Sequence, residues 1–162
     1  MKRIFGFAIL ILVVMSLTYN AKAASDKKVI EKFFAAWNSH DADKAVAYFS
    51  EDAVYEDVTA GHISRGRAEV RKWVEGAFDV VENFKLEVVN SSFDNGRGVV
   101  EWVWSGTDKG LLKTGKKFSV RGVSVYEIRR GKISRYKEFY DFATVHEASW
   151  GAASRKGVSR AA

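Results

Sequence analysis

The stretch Gly131–Asp141, GKISRYKEFYD, holds the most suggestive chemistry in the chain. Read as a strand, alternate residues share a face, so Ser134, Tyr136, Glu138 and Tyr140 point one way and Arg135, Lys137, Phe139 and Asp141 the other. A carboxylate between two tyrosines is unusual for plain core and suits a pocket wall. Phenolic hydroxyls can donate to it, and removal from water raises its affinity for a proton. Other chemistries find little support. His40, His62 and His146 have no metal-ligand spacing, so no metal is expected. The sequence has neither a glycine-rich phosphate loop nor a nucleophile elbow, and no cofactor is expected. Arg65 and Arg67, either side of Gly66, read as a solvated helix start.

The 162 residues suffice for one domain with its own core. A hydrophobic content of 47% and an aromatic content of 14% place the chain among globular proteins rather than disordered ones. Met1-Lys2-Arg3, the apolar run Ile4–Leu17 and the small-x-small site Ala21-Lys22-Ala23 read as a signal peptide over residues 1–23. The expected destination is the periplasm or the cell exterior, with no stable membrane insertion after cleavage. Cleavage there removes three positive charges and no negative ones, taking the net charge from +6 to +3. Much of that remainder lies in the tail, residues 151–162, expected to be disordered and basic. The body, residues 24–150, is near neutral, and nucleic-acid binding is not expected. An exported chain without cysteine must hold its fold by packing alone.

Periodicity supplies the elements that would position the site. Val29, Ile30, Phe33, Phe34 and Trp37 recur at helical spacing, predicting a helix over Ser25–Ser39 capped by Ser25. Asp41 is expected to cap a short second helix through Tyr48. A strand follows over Ala53–Val58, with Ala53, Tyr55 and Asp57 on one face. Thr59–Gly66 reads as a loop and Arg67–Val81 as a third helix. Four strands complete the pattern. The first spans Asn83–Phe93 and the second Gly98–Thr107, where Val100, Trp102 and Trp104 share a face. The third spans Phe118–Ile128, where Val120, Gly122, Ser124 and Tyr126 share a face, and the last begins at Lys132. Helices first and antiparallel strands last make the class α+β. The expected architecture is a curved sheet with three N-terminal helices against its concave side, leaving a funnel between them.

The segments FFAAWNSHDADKAVAYFSEDAVYED and SRGRAEVRKWV, with WVWSGTDKG and TGKKFSVRGVSVYEIRRGKISRYKEFYD, resemble the nuclear transport factor 2-like superfamily, and within it the SnoaL-like polyketide cyclases. The resemblance covers about Lys27 to Trp150. It implies a cone-shaped α+β roll, also called cystatin-like, with a deep apolar pocket and homodimers formed through the outer sheet face. Similarity to the ketosteroid isomerases implies a general base at Asp57, while Phe33 stands in place of their oxyanion tyrosine and Ser124 near their protonated aspartate. Similarity to the limonene epoxide hydrolases places water-holding groups at Tyr55 and Asp57 and a catalytic acid at Glu138. Trp102 and Trp104 stand where those enzymes carry an arginine and an aspartate.

The candidate catalytic residues are therefore Asp57, Glu138 and Tyr55. The candidate ligand-binding residues are Trp37, Trp102, Trp104, Val120, Ser124, Tyr126, Tyr136 and Tyr140. Paired carboxylates in an aromatic pocket can divide acid and base roles between them. Two readings stand. One is an enzyme performing cofactor-free acid/base chemistry on an apolar small molecule, of cyclase, isomerase or hydrolase type. The other is a non-catalytic ligand-binding or protein-association domain on the same scaffold.

Overall fold

Residues 21–144 are described in the computed structural model; the expected leader up to residue 20, the expected tail and His146 lie outside the described residues. Helix α1 covers residues 21–38, so Ser25 is an interior position rather than its cap. Its stripe of Ile30, Phe33, Phe34 and Trp37 is buried at spacings of three and four. The helix ends where the side-chain amide of Asn38 reaches the backbone of Leu86, donating to Leu86 O at 2.7 Å and accepting from Leu86 N at 2.8 Å. Helix α2, Ala42–Val46, is capped by Asp41, whose carboxylate accepts from Lys44 N at 3.0 Å.

Strand β1 is Phe49–Asp57, four residues longer at its start than its alternation suggests. A turn at Gly61 (φ 66°) leads into β2, His62–Arg65. The sequence reads this segment as loop because four residues are too few to display a period of two. Pairing with β1 makes it a strand, with Tyr55 opposite Ser64 and Asp57 opposite His62. Helix α3 is Arg67–Val80, and it runs directly into β3, Val81–Asp94. Strands β4 (Arg97–Asp108), β5 (Lys117–Arg129) and β6 (Lys132–Tyr140) complete one sheet of order β2-β1-β6-β5-β4-β3.

The sheet is antiparallel except where β1 lies parallel to β6. That pairing sets Tyr55 beside Tyr136 and Asp57 beside Glu138. On the other side of β6, Ser124 pairs with Glu138 and Tyr126 with Tyr136. A register shift near Ile128 buries Ile133, so β6 departs from strict alternation at its start and recovers it by Tyr136. The inner face carries the core. Phe33 of α1 makes edge-on contacts with Trp37, Phe49, Tyr126 and Tyr136, at ring separations of 5.5–6.4 Å. Among the described residues no helix is long and apolar enough to cross a membrane.

Gly122 shows how tightly the wall is fitted. It pairs with Trp102, and a Cβ at position 122 would lie 2.1 Å from the indole ring. In most strands alanine outperforms glycine. Here Gly122→Ala should instead destabilise the protein by about 1–3 kcal/mol, through the strain of an overpacked core. A urea titration should show a lower midpoint with an unchanged slope.

Candidate active site

Between the sheet and helices α1 and α3 lies a cavity of about 660 Å³. Helix α1 contributes Trp37, and α3 contributes Trp73, Gly76, Ala77 and Val80. Strand β1 supplies Tyr55 and Asp57, β3 Phe84 and Leu86, β4 Trp102 and Trp104, and β6 Glu138 and Tyr140. Thr59, Ala60, Leu111 and Phe142 complete the wall from the connecting segments. A volume of this size falls in the ordinary range of small-molecule pockets.

Glu138 is the focus of the polar groups. Tyr55 Oη donates to one of its oxygens and Tyr136 Oη to the other, the latter at 2.6 Å. Behind Tyr136, Ser124 Oγ donates to its hydroxyl at 2.9 Å, and Trp102 Nε1 donates to Ser124 Oγ at 2.6 Å. A chain of donors thus runs from the indole to the carboxylate. The Tyr55 and Tyr136 rings stack at 4.5 Å, bringing both hydroxyls to the same carboxylate. Burial pushes the Glu138 carboxyl up to about 8, with the charge of Asp57 adding to the rise and the two tyrosine hydrogen bonds opposing it. Burial and the charge of Glu138 hold the hydroxyls of Tyr55 and Tyr136 protonated well beyond the usual tyrosine range.

Asp57 is 3% exposed. Its carboxylate accepts from Ala60 N at 2.8 Å and from Tyr140 Oη at 3.0 Å. Burial raises its pKa, and the donors together with nearby His62 restrain the rise. Thr59 fastens the turn that presents Ala60. Its Oγ1 donates to Tyr140 O at 2.9 Å and accepts from Tyr140 N at 3.0 Å. His62 stacks on Trp73 at 3.7 Å and lies 2.9 Å from Ser64 Oγ, so it props the wall without lining the cavity.

The sequence-predicted residues fall into two groups. Asp57, Glu138, Tyr55, Trp37, Trp102, Trp104 and Tyr140 meet at the cavity. Ser124 and Tyr136 stand one layer behind it as supports of Glu138, and Val120 and Tyr126 are buried in the core, away from the lining. Phe33 is fully buried in the aromatic cluster of the core. Trp73, Phe84, Leu86, Leu111 and Phe142 line the cavity without being singled out by the sequence reading. A signal for two of them was present. Trp73 lies on the apolar stripe of α3, and Leu86 pairs with Trp104 across β3 and β4. Among the described residues no group of three His, Cys, Asp or Glu could hold a metal ion.

The model of the SnoaL-like domain matches residues 30–136, about two thirds of the chain. The chain belongs to the SnoaL-like family. Solved structures share its fold at low identity. A protein of ketosteroid isomerase-like fold from Catenulispora acidiphila DSM 44928, in complex with trimethylamine, superposes with a TM-score of 0.71 at 20% identity, covering 75% of this chain and 92% of its own. A candidate SnoaL-like polyketide cyclase from Jannaschia sp. CCS1 gives 0.70 at 16% identity, over 78% and 92%. An LEH-like epoxide hydrolase from M. tuberculosis gives 0.67 at 17% identity, over 80% and 92%. These likenesses show the fold, and the fold alone does not select a reaction.

The raised pKa of Glu138 has a consequence for stability. An unfolded chain releases this proton in the ordinary glutamate range, whereas the folded protein keeps it up to about 8. Between those values the native state binds the extra proton, so the contribution of Glu138 is full at pH 4 and is lost as pH rises through 8. Denaturation midpoints measured from pH 5 to pH 8.5 should fall, and Glu138→Gln should flatten the decline. A midpoint that is equally pH-dependent in both proteins would contradict the assignment.

Proposed function

We propose that this SnoaL-like protein binds an apolar small molecule in the aromatic cavity and moves protons on it without a cofactor. Asp57 is the base and Glu138 the acid. The supporting observation is the pairing of these carboxylates on adjacent parallel strands at the cavity wall, Asp57 beside Glu138, with their oxygens engaged by different donors. Near neutral pH Glu138 keeps its proton while Asp57, held by Ala60 N–H and Tyr140, is the more readily ionised of the two. On an enolisable ketone the ionised Asp57 takes a proton from the carbon beside the carbonyl. Glu138 gives its proton to the carbonyl oxygen, and an enol forms with atoms and charge balanced. Return of the proton to a different carbon is an isomerisation, and attack of the enol on a second carbonyl is a cyclisation. Trp102 and Trp104 would stack on a flat ligand, and Tyr55 would orient Glu138 toward it.

Deuterium exchange at enolisable positions of polycyclic aromatic ketones, followed by NMR in heavy water, tests this directly. Exchange should be accelerated by the wild type and reduced about 10²–10⁴-fold in Glu138→Gln, the usual size of a general acid contribution. Because the acid must be protonated, the rate should decline as pH rises above about 8. Asp57→Asn should abolish exchange. Ligand binding with no exchange in any protein would favour the second reading, a binding domain. Phe33 and the tryptophan pair, standing where related enzymes carry polar groups, are the observation in favour of that reading.

Two further properties belong to the same proposal. Export rests on the basic start and apolar run of the first residues. Homodimerisation rests on the outer sheet face, where exposed Val99 pairs with Val125 and Val123 with Phe139. Phe139→Asp should shift the protein to monomer in sedimentation experiments while leaving the cavity ligands bound.

A further inference from the structure

The hydrogen-bonding inventory of the cavity is one-sided. Its wall carries two carboxyl groups and many aromatic faces, and among the described residues no lysine, arginine or histidine lines it. Four side-chain donors on the wall are already committed. Tyr55 donates to Glu138, Tyr140 to Asp57, Trp102 to Ser124 and Thr59 to Tyr140 O. The indole nitrogens of Trp37 and Trp104 are buried and have no hydrogen-bond partner among the described residues. His62, the basic group nearest Asp57, is covered by its stack on Trp73. An anion entering this space would meet the charge of Asp57 with no cationic side chain on the described wall to offset it, and the Glu138 proton would be its main available donor. An organic cation would meet the faces of Trp37, Trp104 and Tyr140 and the charge of Asp57.

We infer that the ligand carries its polar group as an ammonium on an aromatic or polycyclic skeleton, and that carboxylates of the same skeleton are rejected. This rests on the reading of the cavity as a small-molecule site and adds the charge of the molecule it selects. The Glu138 proton is compatible with it, since a neutral carbonyl elsewhere on the skeleton can accept that proton.

Three probes of one skeleton test the inference by calorimetry at pH 7: (naphthalen-1-ylmethyl)trimethylammonium, naphthalen-1-ylmethanol and naphthalene-1-acetate. The ammonium should bind the wild type at least tenfold tighter than the alcohol, and the carboxylate at least tenfold weaker than the alcohol. Asp57→Asn should narrow the gap between ammonium and alcohol by weakening the ammonium more than the alcohol. Trp104→Ala should weaken both, which locates the binding in the cavity. An alcohol that binds as tightly as the ammonium, or a carboxylate that binds as tightly as the alcohol, would overturn the inference and leave the small-molecule site standing. If none of the three binds, both fall. The wild-type comparison decides the matter even if Asp57→Asn fails to fold.

Discussion

The structure of the site depends on the two hydrogen bonds that Tyr55 and Tyr136 donate to Glu138. A carboxyl removed from bulk water is costly unless its oxygens are engaged, and here both are. The bonds require Tyr55 and Tyr136 to lie side by side, which the parallel pairing of β1 with β6 enforces. That pairing in turn needs the chain to leave β1, form β2, α3 and β3 to β5, and return alongside it. One carboxylate is therefore positioned by the long-range topology of the whole domain. The same register puts Asp57 next to Glu138 and makes each carboxyl part of the other's environment.

Much of this was legible in the sequence because strand parity is a local property. Alternation put Tyr136, Glu138 and Tyr140 on one face and Tyr55 with Asp57 on another, and burial follows that pattern. It also sent Phe139 and Lys137 outward, where they are found exposed. Parity cannot say which strands are neighbours, so the β1–β6 pairing and the contact of Tyr55 with Glu138 were beyond it; the proximity of Asp57 and Glu138 came from family resemblance instead. Parity also cannot tell the open part of a face from the packed part. Val120, Gly122, Ser124 and Tyr126 share the inner face of β5, yet Val120 and Tyr126 meet core and Ser124 meets Tyr136 and Trp102. The helix period had the same limit. Trp73 belongs to a stripe that looks like ordinary core, and only the gap between α3 and the sheet makes it a wall.

The aromatic content of the chain serves two purposes that differ by a few ångströms of spacing. Around Phe33 the rings meet edge to face and fill space, anchoring α1 to the sheet. Around Trp104 they also meet, with Phe84, Phe118 and Tyr140 as neighbours, but one side is left without a partner. Ring contacts from three neighbours restrain Trp104, while its remaining side borders the cavity. To the extent that packing fixes these side chains, a ligand has less ordering to impose on them.

The tryptophan at position 102 also changes meaning once its partner is seen. As a replacement for a charged residue it looks like a loss, since an indole cannot relay charge. Its N–H nevertheless goes to Ser124, Ser124 to Tyr136 and Tyr136 to Glu138, so the indole is the far end of the support that orients the acid. Gly122 makes room for the ring on the neighbouring strand. In such a chain each donor polarises the next, and the effect accumulates at the carboxyl group without placing a net positive charge beside it. An arginine in that position would have favoured the ionised carboxylate and lowered its pKa. Neutral donors restrain the rise caused by burial without cancelling it, so Glu138 keeps its proton near neutrality while being held in one orientation. A neutral aromatic support at position 102 is therefore coherent with a carboxyl group that keeps its proton near neutrality.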